Sequence, residues 1–248
     1  DSQLVMNKIV IAMWSGPRNL STAMMRAFEN REDTEVLDEP FYAHYLKTTG
    51  LDHPGRDMII NSQMTNWDEV VAKCTRSNHH GKPIWYQKHM AQHNLEGFDI
   101  SWVKEVQNCL LIRDPKYVIA SYSEKFPFKD ERLLGYVQQI EILEYIEKEN
   151  GKTPPIIDAD DLLQFPEFIL KELCEQIGID FSLSMLSWPK GPRDSDGVWA
   201  PYWYGKVQRS TGFQSHVERE IVLDEDLNEI YEKCMGHYEV IHEKRIRP

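Results

Sequence analysis

From Ile9 the chain runs Ile9-Val10-Ile11-Ala12-Met13 without a polar position. A strand with one wet face alternates polar and apolar residues. A continuous run instead predicts a strand buried on both faces, as inside a parallel sheet. Ser15 to Asn19 reads as a tight turn, and Leu20 to Asn30 puts Leu20, Ala23, Met24, Ala27 and Phe28 on one helical face. The unit recurs. Short strands are predicted at Thr34 to Leu37, Pro83 to Gln87, Asn108 to Ile112 and Pro155 to Asp158. Helical patterns occupy Asp57 to Arg76, Pro115 to Phe126, Glu131 to Glu149, Pro166 to Ile177 and a last stretch from Asp224 to Lys244. Strands alternating with helices predict an α/β fold of three layers, a mostly parallel sheet flanked by helices. Only Ser187 to Phe213, rich in Gly, Pro and aromatics, breaks the rhythm. No repeat, low-complexity tract or long linker divides the chain, so residues 1–248 are expected to form a single domain.

Composition narrows the function. A 41% hydrophobic and 27% charged chain is a folded one. Its 28 Lys+Arg against 40 Asp+Glu give −12, the wrong sign for a general nucleic-acid or anionic-membrane binder. An anionic ligand therefore has to be held by a local basic cluster. No apolar run approaches the ~20 residues of a membrane span. Asp1 to Val5 has neither the basic start nor the apolar stretch of a secretory leader. Cys74, Cys109, Cys174 and Cys234 form no CxxC pair, so a cytoplasmic location without structural zinc or a disulfide scaffold is expected. His79-His80 lacks a nearby third ligand and is not read as a metal site.

Two segments carry chemistry. The first is Ser15-Gly16-Pro17-Arg18-Asn19-Leu20-Ser21-Thr22, between a buried strand and a helix start. Unpaired N–H groups and the helix dipole favour an anion there, Arg18 adds a cation with several donors, and Ser21 and Thr22 add hydroxyls. The plain alternative is a turn capped by Asn19 or Ser21. A nucleotide-hydrolysing P-loop would carry Gly-Lys where Leu20-Ser21 stand. That weakens a small-molecule kinase, although Asp38, after the second strand, could hold magnesium for one. The second segment is Leu111-Ile112-Arg113-Asp114-Pro115-Lys116-Tyr117-Val118-Ile119-Ala120-Ser121-Tyr122. Arg113 leaves the carboxyl end of a strand, where open α/β sheets bind ligands, and Ser121 lies about two turns along the next helix. The two can meet on one phosphate; an Arg–Asp surface pair is the alternative.

These two segments in this order resemble the sulfotransferase family. Asp158-Ala159-Asp160-Asp161-Leu162-Leu163-Gln164-Phe165-Pro166-Glu167, followed by Leu173 to Gly178, resembles a further passage of that family. The resemblance implies a P-loop-like sulfotransferase fold. It also implies 3′-phosphoadenosine 5′-phosphosulfate (PAPS) as co-substrate, with no metal and a small-molecule acceptor. On it, Ser15, Gly16, Pro17, Arg18, Asn19, Leu20, Ser21 and Thr22 would hold the 5′-phosphosulfate, and Arg113 and Ser121 the 3′-phosphate. Many cytosolic members carry Lys in the first loop; here the cation is Arg18. Lys206 to Phe213, including Arg209 and Ser210, would fold over the 3′-phosphate and adenine. Arg18 and Lys88 would stabilise the leaving group.

The general base has more than one candidate. The resemblance implies Glu39, since some relatives use as base an acidic residue followed by an aromatic here, or else His89 or His93, since others with a Lys-to-His spacing like that of Lys88-His89-Met90-Ala91-Gln92-His93 use the histidine; His44 lies nearby. A histidine needs little adjustment to act near neutrality, whereas Glu39 needs its pKa raised; the resemblance favours Glu39. A non-catalytic nucleotide-binding module is the remaining alternative. The aromatics Trp188, Trp199, Tyr202, Trp203 and Tyr204 either line an acceptor pocket or pack the segment against the sheet.

Overall fold

The computed structural model describes residues 8–76, 81–215 and 218–248. The readings at Asp1 to Val5 and His79-His80 fall outside these residues. Five strands, β1 (Ile9–Ser15), β2 (Thr34–Asp38), β3 (Ile84–Met90), β4 (Gln107–Ile112) and β5 (Ile156–Asp158), form one sheet in the order β2-β3-β1-β4-β5. Every pairing is parallel, so all five carboxyl ends meet at one edge.

The continuous apolar runs are explained by burial on both faces. Ile11, Met13, Cys109, Leu111 and Ile157 point into one core, while Ala12, Trp14, Leu110, Ile112 and Ile156 point into the other. On the first face lie α1 (Ser21–Glu29), α2 (Tyr42–Thr49), α3 (Arg56–Ser62) and, after α7 (Ala159–Gln164), α8 (Pro166–Ile177). The second is covered by α4 (Trp67–Thr75), α5 (Pro115–Lys125), α6 (Tyr136–Asn150) and α11 (Asn228–His242). Beyond β5 the sheet edge is partly capped by the tail, where Ile246 N donates to Ile156 O at 2.8 Å.

Three expected elements differ. The Asp57 to Arg76 helix is two, because the chain is extended at Gln63 and restarts where the Asn66 side chain accepts from Glu69 N. The Glu131 to Glu149 helix is a 3-10 turn (Glu131–Leu134) and then α6, separated by Gly135 at φ 79°. Strand β3 continues through Lys88 and His89 to Met90, so those two lie within the strand rather than after it. Residues 187–213 contain the short helices α9 (Ala200–Trp203) and α10 (Gly205–Gln208), closed by an antiparallel bridge between Ser187 and Gly212.

Candidate active site

The β1–α1 loop is bent by two non-glycine residues in the left-handed region, Arg18 (φ 62°) and Leu20 (φ 67°). Leu20 occupies the glycine-favouring conformation where a P-loop has its second glycine, which explains how the loop turns without that residue. Gly16 is required by contact: a Cβ there would lie 2.3 Å from Leu134 O. The buried Asn19 amide braces the turn, its nitrogen donating to Pro17 O (3.0 Å) and its oxygen accepting from Gly16 N (3.3 Å). Ser15 and Ser21 both lie against the Met90 sulfur.

Across the sheet edge, Arg18 Nε donates to Ser121 Oγ at 2.9 Å and Arg113 Nη1 donates to Arg18 O at 2.9 Å. The two segments singled out in the sequence are thus in direct contact. Tyr136 fixes Arg113 by donating to its carbonyl at 2.6 Å, while Arg113 Nε is buried without a hydrogen-bond partner. Asp114 caps α5 by accepting from Lys116 N, and Pro115 stands in its first turn. Burial pulls the Arg18 pKa down, and Arg113 pulls it further. The Lys206 pKa is likewise lowered by burial, then by Arg113, Arg219 and Arg18. Arg18, Arg113, Lys206 and Arg219 therefore repel one another at one edge of a chain whose net charge is −12. Such a cluster, with an unpartnered guanidinium nitrogen, suits an oxyanion.

Of the two residues expected from the 206–213 segment, Ser210 accepts from Trp188 Nε1 (3.0 Å) and donates to Val207 O (2.6 Å), so its hydroxyl braces the segment. Arg209 is exposed, and it is Lys206 and Arg219 whose charges act on Arg18 and Arg113. Arg219 lies beyond the segment flagged in the sequence, and its only signal there was its charge.

A second group of side chains is buried at the ends of β2 and β3. Lys88 Nζ donates to Thr22 Oγ1 (2.8 Å), Glu39 Oε2 (3.0 Å) and Tyr204 Oη (2.7 Å), and lies 3.6 Å from Asp38 Oδ1. Tyr204 Oη also accepts from Trp199 Nε1 (2.9 Å). Its single proton faces both Asp38 oxygens (2.8 Å each) and Glu39 Oε2 (2.9 Å). Asp38 Oδ2 accepts in addition from Gly197 N at 3.0 Å. Burial raises the Asp38 pKa to about 6 against the pull of Lys88, and the neighbouring Glu39 charge adds to the rise. Glu39 is held at φ 40°; its N–H donates to Lys88 O and its carbonyl accepts from Gln63 Nε2 at 2.9 Å. Strain at such a residue persists only where surrounding contacts fix it, and Gln63 and Lys88 do so.

The histidine candidates are placed differently. His89 stacks on Trp14 (4.6 Å between centroids) with Nε2 bonded to Gln87 Oε1 at 2.8 Å, and burial lowers its pKa to about 3. His44 Nδ1 meets Thr65 O at 3.1 Å, and burial lowers its pKa too. His93 is sandwiched by Tyr42 (5.0 Å) and Tyr45 (4.6 Å), with Nδ1 buried and unpartnered. Burial, then the charges of His53, His44, His89 and Lys88, drive its pKa well down. These rings are neutral core groups, whereas Glu39 touches the lysine. Next to the Tyr42–His93 stack, His53 Nδ1 pairs with Tyr42 Oη at 2.7 Å and lines a cleft of about 480 Å³ over residues 52–58. Trp188, Trp199 and Tyr204 pack into the core, Tyr202 is exposed, and Tyr204 adds its hydroxyl to the lysine network.

The sulfotransferase domain family model matches residues 8–244. The chain belongs to the sulfotransferase domain family. Among solved structures, its fold is similar to the sulfotransferase domain from the curacin biosynthetic pathway (TM-score 0.55, 14% identity, 92% of this chain and 98% of that one). It is also similar to a sulfotransferase from Alicyclobacillus acidocaldarius (TM-score 0.51, 12% identity, 95% of this chain and 96% of that one). At these identities the likeness concerns the fold, which is the expected parallel sheet flanked by helices. In sequence the chain is 40% identical over 208 residues to branched-chain-amino-acid aminotransferase-like protein 1 of Arabidopsis thaliana (83% of this chain, 37% of that one). It is 35% identical over 233 residues to the corresponding protein 2 (94% and 41%). The chain thus spans about two fifths of the length of these curated relatives. Among the described residues no helix is long and apolar enough to cross a membrane, and no group of three or more His, Cys, Asp or Glu could hold a metal ion.

Proposed function

We propose that the chain transfers the sulfuryl group of PAPS to a hydroxyl or amine of a small-molecule acceptor by direct in-line displacement. The observation that carries this reading is the contact of Arg18 with Ser121 and of Arg113 with the Arg18 carbonyl, beside Lys206 and Arg219. A 3′-phosphate would bring a dianion to these four cations. The curved loop from Ser15 to Thr22 would cradle the 5′-phosphosulfate with its N–H groups and hydroxyls. PAPS, when bound, brings an activated sulfuryl group on a phosphate leaving group. Lys88, anchored on Thr22 at the start of α1, is the cation placed to meet charge developing on that leaving oxygen. Glu39, bonded to Lys88 through Oε2, has Oε1 left to accept the acceptor's proton. The side chains of Tyr42, Tyr45, His53 and His93 would form the acceptor-side wall, neutral and largely aromatic.

Against the kinase alternative, both oxygens of Asp38 are engaged by Tyr204 and Gly197 rather than turned toward a metal. The aminotransferase-like names of the plant relatives belong to proteins more than twice as long as the matched part. Here Lys88 is held by Thr22, Glu39 and Tyr204 and lies 3.6 Å from Asp38. The deciding experiment is transfer of labelled sulfate from PAPS to small molecules of a mixed extract, with Glu39→Gln as comparison. Transfer by the wild type, cut about 100-fold or more in the variant with unchanged affinity for adenosine 3′,5′-bisphosphate, is expected. Bisphosphate binding without any transfer would instead make the chain a non-catalytic nucleotide-binding module. Magnesium-dependent ATP binding without bisphosphate binding would restore the kinase.

A further inference from the structure

The buried carboxylates Asp38 and Glu39 share one lysine and one phenol proton. Asp38, Glu39, Lys88 and Tyr204 are all buried, and the tyrosine oxygen lies within 2.9 Å of both carboxyl groups. With both acids ionised the group carries −1, since Lys88 is its one cation. Other charged groups facing it do not alter that balance. Arg26, from α1, is close enough for Asp38 to raise its pKa, but Asp196 neutralises it through bonds of 2.6 and 2.7 Å. Tyr86 of β3 and Tyr42 of α2 face the two carboxylates as neutral phenols, their pKa values raised first by burial. Thr22, Trp199 and Gly197 contribute dipoles only.

We propose that Asp38 and Tyr204 are positioning residues that make Glu39 a base: Asp38 supplies the second negative charge that an incoming proton cancels, and Tyr204 turns its own proton to whichever carboxylate stays ionised. This deepens the sulfuryl-transfer reading and rests on it. As the acceptor oxygen or nitrogen bonds to sulfur, the sulfur–oxygen bond to the phosphate breaks and its electron pair leaves with the bisphosphate. The acceptor proton passes to Glu39 Oε1, the Tyr204 hydrogen bond settles on Asp38, and the buried group goes from −1 to 0. Without Asp38 the same transfer would carry the group from 0 to +1, which burial opposes.

The variants Asp38→Asn and Tyr204→Phe test this with opposite signs, because the first removes a charge and the second only a hydrogen-bond donor. In kcat against pH, Asp38→Asn should lower the plateau about tenfold or more and move the acid limb down by about one pH unit. Tyr204→Phe, which keeps the ring 4.5 Å from Lys88 Nζ, should move that limb up. A merely structural role would lower the rate and leave the limb in place. The second readout needs no acceptor: pH-difference infrared spectra of the whole protein should show a carboxylic-acid C=O band titrating near pH 6 that is missing in Asp38→Asn. Absence of that band in the wild type, or acid limbs that do not move in either variant, overturns the proposal. A wild type that shows the band and transfers no sulfate overturns the sulfotransferase reading and, with it, the role of Glu39 as base, while leaving the shared-proton pair standing.

Discussion

Arg18 Nε and Ser121 Oγ, 103 residues apart in the chain, lie 2.9 Å from each other at the carboxyl edge of the sheet. The contact joins the loop after β1 to the helix after β4, which are neighbours because β4 pairs directly with β1. Parallel pairing brings the ends of both strands to one edge, so two segments far apart in sequence form one surface.

Arg113 should be the main grip on a 3′-phosphate. A hydrogen bond to a charged group contributes about 1.5–3 kcal/mol, so Arg113→Ala is expected to weaken adenosine 3′,5′-bisphosphate binding about 10- to 150-fold by calorimetry. Affinity for adenosine 5′-phosphosulfate, which lacks the 3′-phosphate, should change little. Equal losses for both ligands would show that the arginine acts on the loop through the Arg18 carbonyl instead.

Leu20 separates the backbone requirement of the loop from its side chain. A leucine at φ 67° bears about 1–2 kcal/mol of steric cost, which glycine removes while giving up a half-buried side chain of comparable worth. Leu20→Gly should therefore unfold in urea within about 1 kcal/mol of the wild type and still bind the bisphosphate. Leu20→Val, β-branched in the same conformation, should be less stable by more than about 1 kcal/mol.

The elements that were legible in sequence are those whose signal is local. Strand β1 is apolar from Ile9 to Trp14 because both its faces are covered, and α8 begins at Pro166 and ends before Gly178, the residues that open and close a helix. Lys88 and His89 read as polar residues beyond a strand, yet β3 runs through them, because Lys88 has Glu39 and Tyr204 as partners and His89 has Gln87. Those partners are long-range or alternate along the strand, so no hydropathy pattern announces them. Tyr204 is the clearest case. Its aromatic neighbours marked the segment, but its contact with Glu39 spans 165 positions and follows from how 187–213 is tied down.

Stability should depend on pH through the buried histidines. Burial lowers the pKa of His53 to about 4 and of His89 to about 3, while the unfolded chain takes up those protons near pH 6.5. Between these values the unfolded state binds more protons, so stability falls as pH drops from about 6.5 toward 4, by up to about 1.4 kcal/mol per pH unit for each group. Asp38 has the opposite sign: its pKa of about 6 lies above the unfolded value, so it favours the folded state as pH falls through 6. With His93 also lowered, the histidines outnumber it. Urea midpoints should drop from pH 7 to 5, and His89→Gln should flatten that slope. A flat wild-type profile would show that these rings are solvated.

The segment that carries Tyr204 is held by a buried ion pair, and that pair should control turnover from a distance. Arg26 on α1 meets Asp196 through Nη1 and Nη2 at 2.6 and 2.7 Å, with side-chain exposures of 1% and 3%. Next to it, Gly197 N donates to Asp38 and Ser195 Oγ to Glu29, so residues 195–197 are fastened between α1 and the end of β2. Removing one partner leaves a buried charge without compensation, a loss of about 3–5 kcal/mol. Arg26→Ala and Asp196→Ala should each destabilise by about that amount, and the double variant by less than their sum, since no orphan charge remains. Because Asp196 adjoins the glycine bonded to Asp38, the double variant should also fall in kcat while keeping its bisphosphate affinity, which depends on the opposite end of the site. Additive losses in the cycle would mean that the two charges are separately solvated, and a kcat equal to the wild type would detach the segment's anchorage from the position of Tyr204.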